Sequence, residues 1–289
     1  MTSRDPGAGF SELGYGQSHL LEWGGCDPPV LLLHPNGMNA RVWELVVRRL
    51  TLPNRIVVPD RRGHGLSVAP PAGYGLDDHL GDTLELIGRL GGDPVHVVGA
   101  MTGANLGILL ASRMPGLVRS LVVVDPAPAL DPDVLRFAEE SLAEGNLRFP
   151  SLEAALAKAA DPKWDAETRA HYGRHFFRPV GTGGVGTGGV GAGGVAGADT
   201  VEWNFHAPGV LETERALVRP LWDEIHVTCP TLVVRGAQSW VFSPEQQARL
   251  VALIPGATVA EVASRLHPPL DDPAGIAAAV DRHVLAVAP

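Results

Sequence analysis

Short apolar stretches that do not alternate with polar residues recur at 30–33, 55–58, 95–98, 121–124, 231–234 and, more weakly, 258–262. Rich in Val, Ile and Leu, they read as strands covered on both faces of a parallel sheet. Helical periodicity fills the intervals at 40–50, 76–90, 104–113, 244–253 and 273–287. Strand followed by helix, repeated, predicts an open α/β sheet with right-handed crossovers. The alternation stops from about Ala127 to Thr228, where stretches at 131–144, 151–160, 165–175 and 211–223 predict helices in place of strands. The expected organisation is therefore a core α/β domain made of residues 1–126 and 229–289, with residues 127–228 inserted as a helical lid. Within that insertion, 181–197 reads GTGGVGTGGVGAGGVAG. Glycine entropy and missing side chains predict a mobile loop there. A phosphate cradle would need a following Lys-Ser/Thr and a helix start, and neither is present.

Composition narrows the partners. Against 32 acidic residues stand 23 basic ones, a net charge of −9, and no Lys/Arg run marks a surface for a polyanion, so nucleic acid is not expected. No apolar stretch approaches the ~18–20 residues of a membrane span, and MTSRDPGAGF lacks the basic-then-apolar pattern of a secretory signal. The expectation is a cytoplasmic protein without a membrane partner. Cys26 and Cys229 are too few for a disulfide framework or a zinc cluster, and both are read as free thiols. Lys158 and Lys163 are the only lysines among many arginines, which, with abundant Ala, Gly, Val and Pro, reads as the codon bias of a GC-rich bacterial genome.

The residues that could carry chemistry follow the predicted strands, where open α/β sheets place their ligand crevices. After the first run comes His34-Pro35-Asn36-Gly37-Met38, after the second Asp60-Arg61-Arg62-Gly63-His64-Gly65, and after the third Gly99-Ala100-Met101-Thr102-Gly103 leading into a helix. Leu266-His267-Pro268-Pro269-Leu270-Asp271-Asp272-Pro273 follows the last run. In order and spacing the chain resembles the α/β-hydrolase superfamily over nearly its whole length. Its His-Gly-x-x segment matches 34–37, its Asp-x-Arg-Gly-x-Gly-x-Ser segment 60–67 and its strand-elbow-helix 95–111. The resemblance implies the α/β-hydrolase fold: a mostly parallel central sheet flanked by helices, with an inserted helical lid.

At the decisive position the chain departs from that pattern. A nucleophile elbow reads Gly-x-Ser-x-Gly because its glycines allow a strained turn that presents an oxygen nucleophile. Met101 stands there instead, and a thioether cannot be deprotonated by histidine or form an acyl-enzyme. Thr102 is adjacent, but its side chain is expected to point away. The usual acid position falls on Ser239 and Trp240. Asp125 either replaces that acid, as in some branches of the superfamily, or starts a turn with Pro126. An ungapped alignment puts Leu266 at the family histidine position, and a one-residue shift puts His267 there. By the resemblance, the backbone amides of Asn36 or its neighbour and of Thr102 would stabilise an oxyanion. Pro35 replaces the usual glycine, and His34 is read chiefly as a support for its turn.

Other patterns are read as structural. Gly99, Gly103 and Gly107 lack dinucleotide-binding spacing. His171 and His175, four apart, read as a surface pair without an acidic partner for a metal. Asp271 and Asp272 introduce the last helix with Pro273 in its first turn. Neither metal nor cofactor is expected.

The functional expectation is a non-hydrolytic enzyme of cyclase, lyase or isomerase type, acting on a hydrophobic small molecule in bacterial secondary metabolism. His267 and Asp125 would move a proton, while His34, Asn36, Met38, Met101, Thr102, Trp203 and Trp240 would contact the ligand. A non-catalytic pseudo-hydrolase that only binds, and a hydrolase with an unconventional nucleophile or activated water, are the alternatives. The identity of the substrate and the oligomeric state have no signature in the sequence.

Overall fold

The computed structural model describes residues 6–143, 146–181 and 200–287. In chain order the strands are β1 (Gly7–Leu13), β2 (Gly16–Trp23), β3 (Cys26–Leu33), β4 (Asn54–Pro59), β5 (Val95–Ala100), β6 (Val118–Val124), β7 (Arg148–Phe149), β8 (Phe177–Pro179), β9 (Val201–Trp203), β10 (Thr231–Gly236) and β11 (Thr258–Val262). The helices are α1 (Glu44–Val47), α2 (Leu76–Arg89), α3 (Thr102–Arg113), α4 (Pro132–Ser141), α5 (Leu152–Ala159), α6 (Ala166–His175), α7 (Ala207–Ala216), α8 (Pro244–Leu253), α9 (Pro268–Asp271) and α10 (Pro273–Ala286). Eight strands form one sheet ordered β1-β2-β4-β3-β5-β6-β10-β11. β1 and β2 pair antiparallel, as do β2 and β4, and every pair from β4 to β11 is parallel. This is the α/β-hydrolase fold, a mostly parallel sheet flanked by helices.

Along β3 to β6 and β10 the apolar runs do not alternate because both faces of the sheet are covered there, whereas β11, expected to be covered in the same way, lies at the sheet edge and is largely exposed. Val30, Leu32, Ile56, Val58, Val98, Val122 and Val124 enter one core cluster. Their neighbours Leu31, Leu33, Val57, Val97, Leu121 and Val123 enter the other, on the opposite face. Helix starts follow local chemistry. Ser243 and Gln246 form a capping box at the start of α8, with Pro244 in its first turn. Asp272 caps α10 by accepting from the Gly275 amide at 2.8 Å.

Between β6 and β10 the structure departs from the helix-only expectation in two ways. β7, β9 and β8 form a separate three-stranded antiparallel sheet. The helix expected at 211–223 is α7, which starts earlier because His206 caps it and Pro208 sits in its first turn. Nor is the inserted segment apolar only within itself, since Phe149, Ala155, Tyr172, Phe176, Phe177 and Val201 join the core cluster that covers one face of the main sheet. Near the start of the chain, the helix expected at 40–50 is a 3₁₀ turn, Ala40–Trp43, continued by α1. Apart from Gly181, the glycine-rich run at 181–197 lies outside the described residues. Among the described residues no helix is long and apolar enough to cross a membrane.

Candidate functional site

The β5–α3 junction keeps an elbow. Met101 has φ +51° and ψ −115°, a backbone region that side chains rarely occupy. Its amide donates to Val124 O at 2.8 Å, and its carbonyl accepts from Asn105 N at 3.0 Å. The flanking glycines are required by contact. A methyl group on Gly99 would collide with the backbone of Gly103, and one on Gly103 would collide with the carbonyl of Leu33. The strained turn that elsewhere would present a nucleophile therefore presents a thioether, and Met101 lines a cavity of roughly 550 Å³ above the strand ends.

Mostly apolar side chains line that cavity, from both the strand-end loops and the inserted segment. Asn36, Met38, Met101, Thr102, Trp203, Trp240 and His267 all border it. Trp203 stacks between Phe177 and Phe205 at centroid distances of 4.6 and 5.6 Å, forming an aromatic wall. Phe205 also borders the cavity. Trp222 instead belongs to the core, under the Arg249 guanidinium.

Two expected site residues lie elsewhere. His34 is fully buried behind the turn and does not line the cavity. Its Nδ1 donates to Pro35 O at 2.7 Å and its Nε2 accepts from Arg61 N at 3.0 Å. Both nitrogens are thus committed to holding the turn, and none is left for a ligand. Asp125 is also fully buried and off the cavity wall, at φ +44° after β6. Oδ1 accepts from Gly236 N at 2.8 Å, whereas Oδ2 has no hydrogen bond. Burial raises its pKa to about 6, against the lowering effect of the Gly236 amide and the nearby Ser239 hydroxyl.

The His267–Asp125 pair expected from the sequence is not formed. His267 Nδ1 is buried without a partner, and burial pushes the imidazole down to about 4, so it is neutral at neutral pH. The carboxylate that serves its loop is Asp271. Asp271 Oδ2 accepts from Ser264 Oγ and from the amides of Arg265, Leu266 and His267 at 2.8–3.2 Å. Its Oδ1 accepts from Trp164 Nε1 at 2.7 Å. Those bonds fix the backbone of the loop and leave the His267 ring without an acid.

One potential oxyanion donor is already spent. Gly37 N donates to His64 Nε2 at 3.1 Å, and His64 Nδ1 donates to Arg62 O at 2.9 Å. Burial, with the Arg61 charge, drives His64 to about 3, which keeps Nε2 an acceptor. Asn36 N remains on the turn, and Thr102 N stands in the first turn of α3, where helices have no carbonyl to offer.

Sequence reasoning missed Glu214. It lines the cavity from α7, and its Oε1 accepts from Asn36 Nδ2 at 2.7 Å. Burial raises its pKa, while the Asn36 bond and the Arg61 charge oppose the rise. The available signal was its spacing: Val210, Glu214 and Leu217 fall on one helical face and all border the cavity. A carboxylate on an otherwise apolar face is the anomaly.

Comparisons with known proteins agree with this architecture. A family profile described as the alpha/beta hydrolase fold matches residues 28–273. The chain is 29% identical over 246 residues to a 2-(acetamidomethylene)succinate hydrolase of Mesorhizobium japonicum, covering 84% of this chain and 82% of that protein. It is 30% identical over 244 residues to an esterase of Mycobacterium tuberculosis, covering 81% of this chain and 74% of that protein. The solved structure of E-2-(acetamidomethylene)succinate hydrolase superposes with a TM-score of 0.82 at 25% identity, covering 98% of this chain and all of that one.

Proposed function

The chain belongs to the α/β-hydrolase family, and from that premise we propose that it is a non-hydrolytic member of cyclase, lyase or isomerase type, whose inserted segment serves as a lid over an apolar small molecule. The observation that carries this reading is Met101, strained into the elbow conformation and facing the cavity with no ionisable atom. Acyl-enzyme chemistry needs a nucleophile there and a histidine oriented by an acid, and His267 has no acid on Nδ1. What the cavity offers instead is shape and proton transfer. Its aromatic and aliphatic walls fold a flexible apolar substrate into a reactive conformer, which alone lowers a barrier by several kcal/mol. Glu214, whose carboxyl titrates higher than a surface glutamate, supplies or accepts the proton in place of Asp125. His267, neutral above about pH 4, offers a second polar contact.

The names of the relatives favour a second reading, hydrolysis by a water activated at Glu214 or His267. One experiment addresses both: the purified chain is incubated with a fluorophosphonate probe and a panel of nitrophenyl esters. The proposed function expects neither labelling nor turnover. Turnover without labelling supports the activated-water reading, and a covalent adduct with turnover removes both.

A further inference from the structure

His171 and His175 stand one turn apart on α6, so their rings share a helix face, with centroids 4.7 Å apart. They are not the surface pair read from the sequence. His171 is only 5% exposed and His175 is half-buried. Glu44, at the start of α1 and 4% exposed, brings the missing carboxylate. One oxygen of Glu44 and one ring nitrogen of each histidine all lie within 4.8 Å of one another.

Two imidazoles and a carboxylate are the ligand set of a borderline divalent metal such as Zn²⁺. The surroundings already do what the outer shell of such a site does. His171 Nε2 donates to Arg41 O at 2.8 Å, which fixes the tautomer and leaves the lone pair on Nδ1. Arg41 Nη1 donates to Glu44 Oε2 at 2.8 Å and Arg48 Nη2 to Oε1 at 2.6 Å, so the carboxylate is held in place. Each of its oxygens keeps a further lone pair for a metal. The backbone carbonyl of His175 accepts from Asn39 Nδ2 at 2.8 Å, tying the end of α6 to the same turn. Ligands at ~2.0–2.1 Å from one tetrahedral ion stand about 3.4 Å apart. A rotation of the His175 side chain, the most exposed of the three, draws the set together. The two guanidinium groups oppose a cation and Glu167, 3.6 Å from Arg48, partly offsets them, so the site is weaker than a closed four-ligand one.

We propose that Glu44, His171 and His175 bind one divalent transition-metal ion, with water in the fourth position, and that the ion clamps α6 of the inserted segment to the start of α1. The clamp is distinct from the cavity chemistry, because none of the three residues borders the cavity. The test titrates the metal-stripped full chain with ZnCl₂ by calorimetry and with CoCl₂ by visible absorption. Expected are one equivalent of Zn²⁺ bound with a Kd of about 10 μM or tighter, a raised Tm, and the intense visible bands of four-coordinate Co²⁺. His175→Asn, at the half-exposed position, should weaken uptake at least about tenfold with an unchanged far-UV spectrum. His171→Asn should abolish the Co²⁺ bands. Absence of saturable binding below about 100 μM, or binding that His175→Asn leaves unchanged, overturns the proposal.

Discussion

Met101 sets a limit that restoring one atom type does not lift. Met101→Ser would place a hydroxyl at φ +51° facing the cavity, yet His267 Nδ1 and Asp125 Oδ2 would both still lack a hydrogen-bond partner. The variant should therefore leave kcat/KM on nitrophenyl esters below about 10² M⁻¹s⁻¹, far under the ~10⁴–10⁸ M⁻¹s⁻¹ of ordinary enzymes. Steady-state assay checks this, and rates in the ordinary range would mean that the histidine is oriented by some other group. Asp125 makes a separate prediction about stability. Its carboxyl titrates near 3.9 in an unfolded chain and at about 6 in the fold. Between those values the native state holds a proton that the unfolded state has lost, so stability present below the lower value is lost as pH rises through the upper one. Asp125→Asn carries no such proton and can still accept from Gly236 N. Its stability relative to the parent should accordingly rise by about 2–3 kcal/mol between about pH 4 and pH 7. Urea unfolding at the two pH values measures it, and a pH-independent difference would count against the burial argument.

Elements bring contrasting demands on the same residue type. Gly103 opens α3 where the helix meets β3, and a Cβ there would overlap the backbone of Leu33, which cannot yield as a side chain could. Gly103→Ala should cost more than about 3 kcal/mol in chemical denaturation. Gly81, inside α2 with nothing within 4 Å of a built Cβ, should behave oppositely, with Gly81→Ala stabilising by about 0.5–1 kcal/mol. Legibility in the sequence follows similar physics. Strands β3 to β6 and β10 could be read because burial on both faces excludes polar residues, whereas β11, a largely exposed edge strand with Glu261 in it, gave only a weak run. β1 and β2 could not, because β1 is largely exposed and β2 mixes Gln, Ser and His into its pattern. β7, β8 and β9 span only two or three residues, too few for any periodicity. For the site, the elbow and its turn could be located from glycines whose backbones must approach closely. The partnership of His267 could not, because it depends on how a loop closes around Asp271. Glu214 and Glu44 gain their surroundings only when distant segments meet, at Asn36 for the first and at α6 for the second.

At the scale of the whole molecule, the question is whether the inserted segment folds as a unit of its own. Its connection after β6 and before β10 suggests separability, but its apolar residues argue against it. Tyr172 on α6 is 3% exposed, stacks on Phe176 at 4.8 Å and meets Phe177 edge-on at 5.6 Å. All three belong to the cluster that also holds Val30, Val98 and Val124 of the main sheet. A residue shared in this way transmits its loss to the sheet, since no boundary of polar surface separates the two sides. Tyr172→Ala should then cost about 3–5 kcal/mol. That loss should appear as one lowered transition by both far-UV circular dichroism and tryptophan fluorescence, because coincident probes report one cooperative unit. Trp164 and Trp203 lie in the inserted segment while Trp23 and Trp43 are buried in the core, so fluorescence samples both sides. Two separated transitions, the earlier removing only part of the helical far-UV signal together with part of the fluorescence change, would instead make the segment an independent unit resting on the sheet. The cavity between them would then open without unfolding the core.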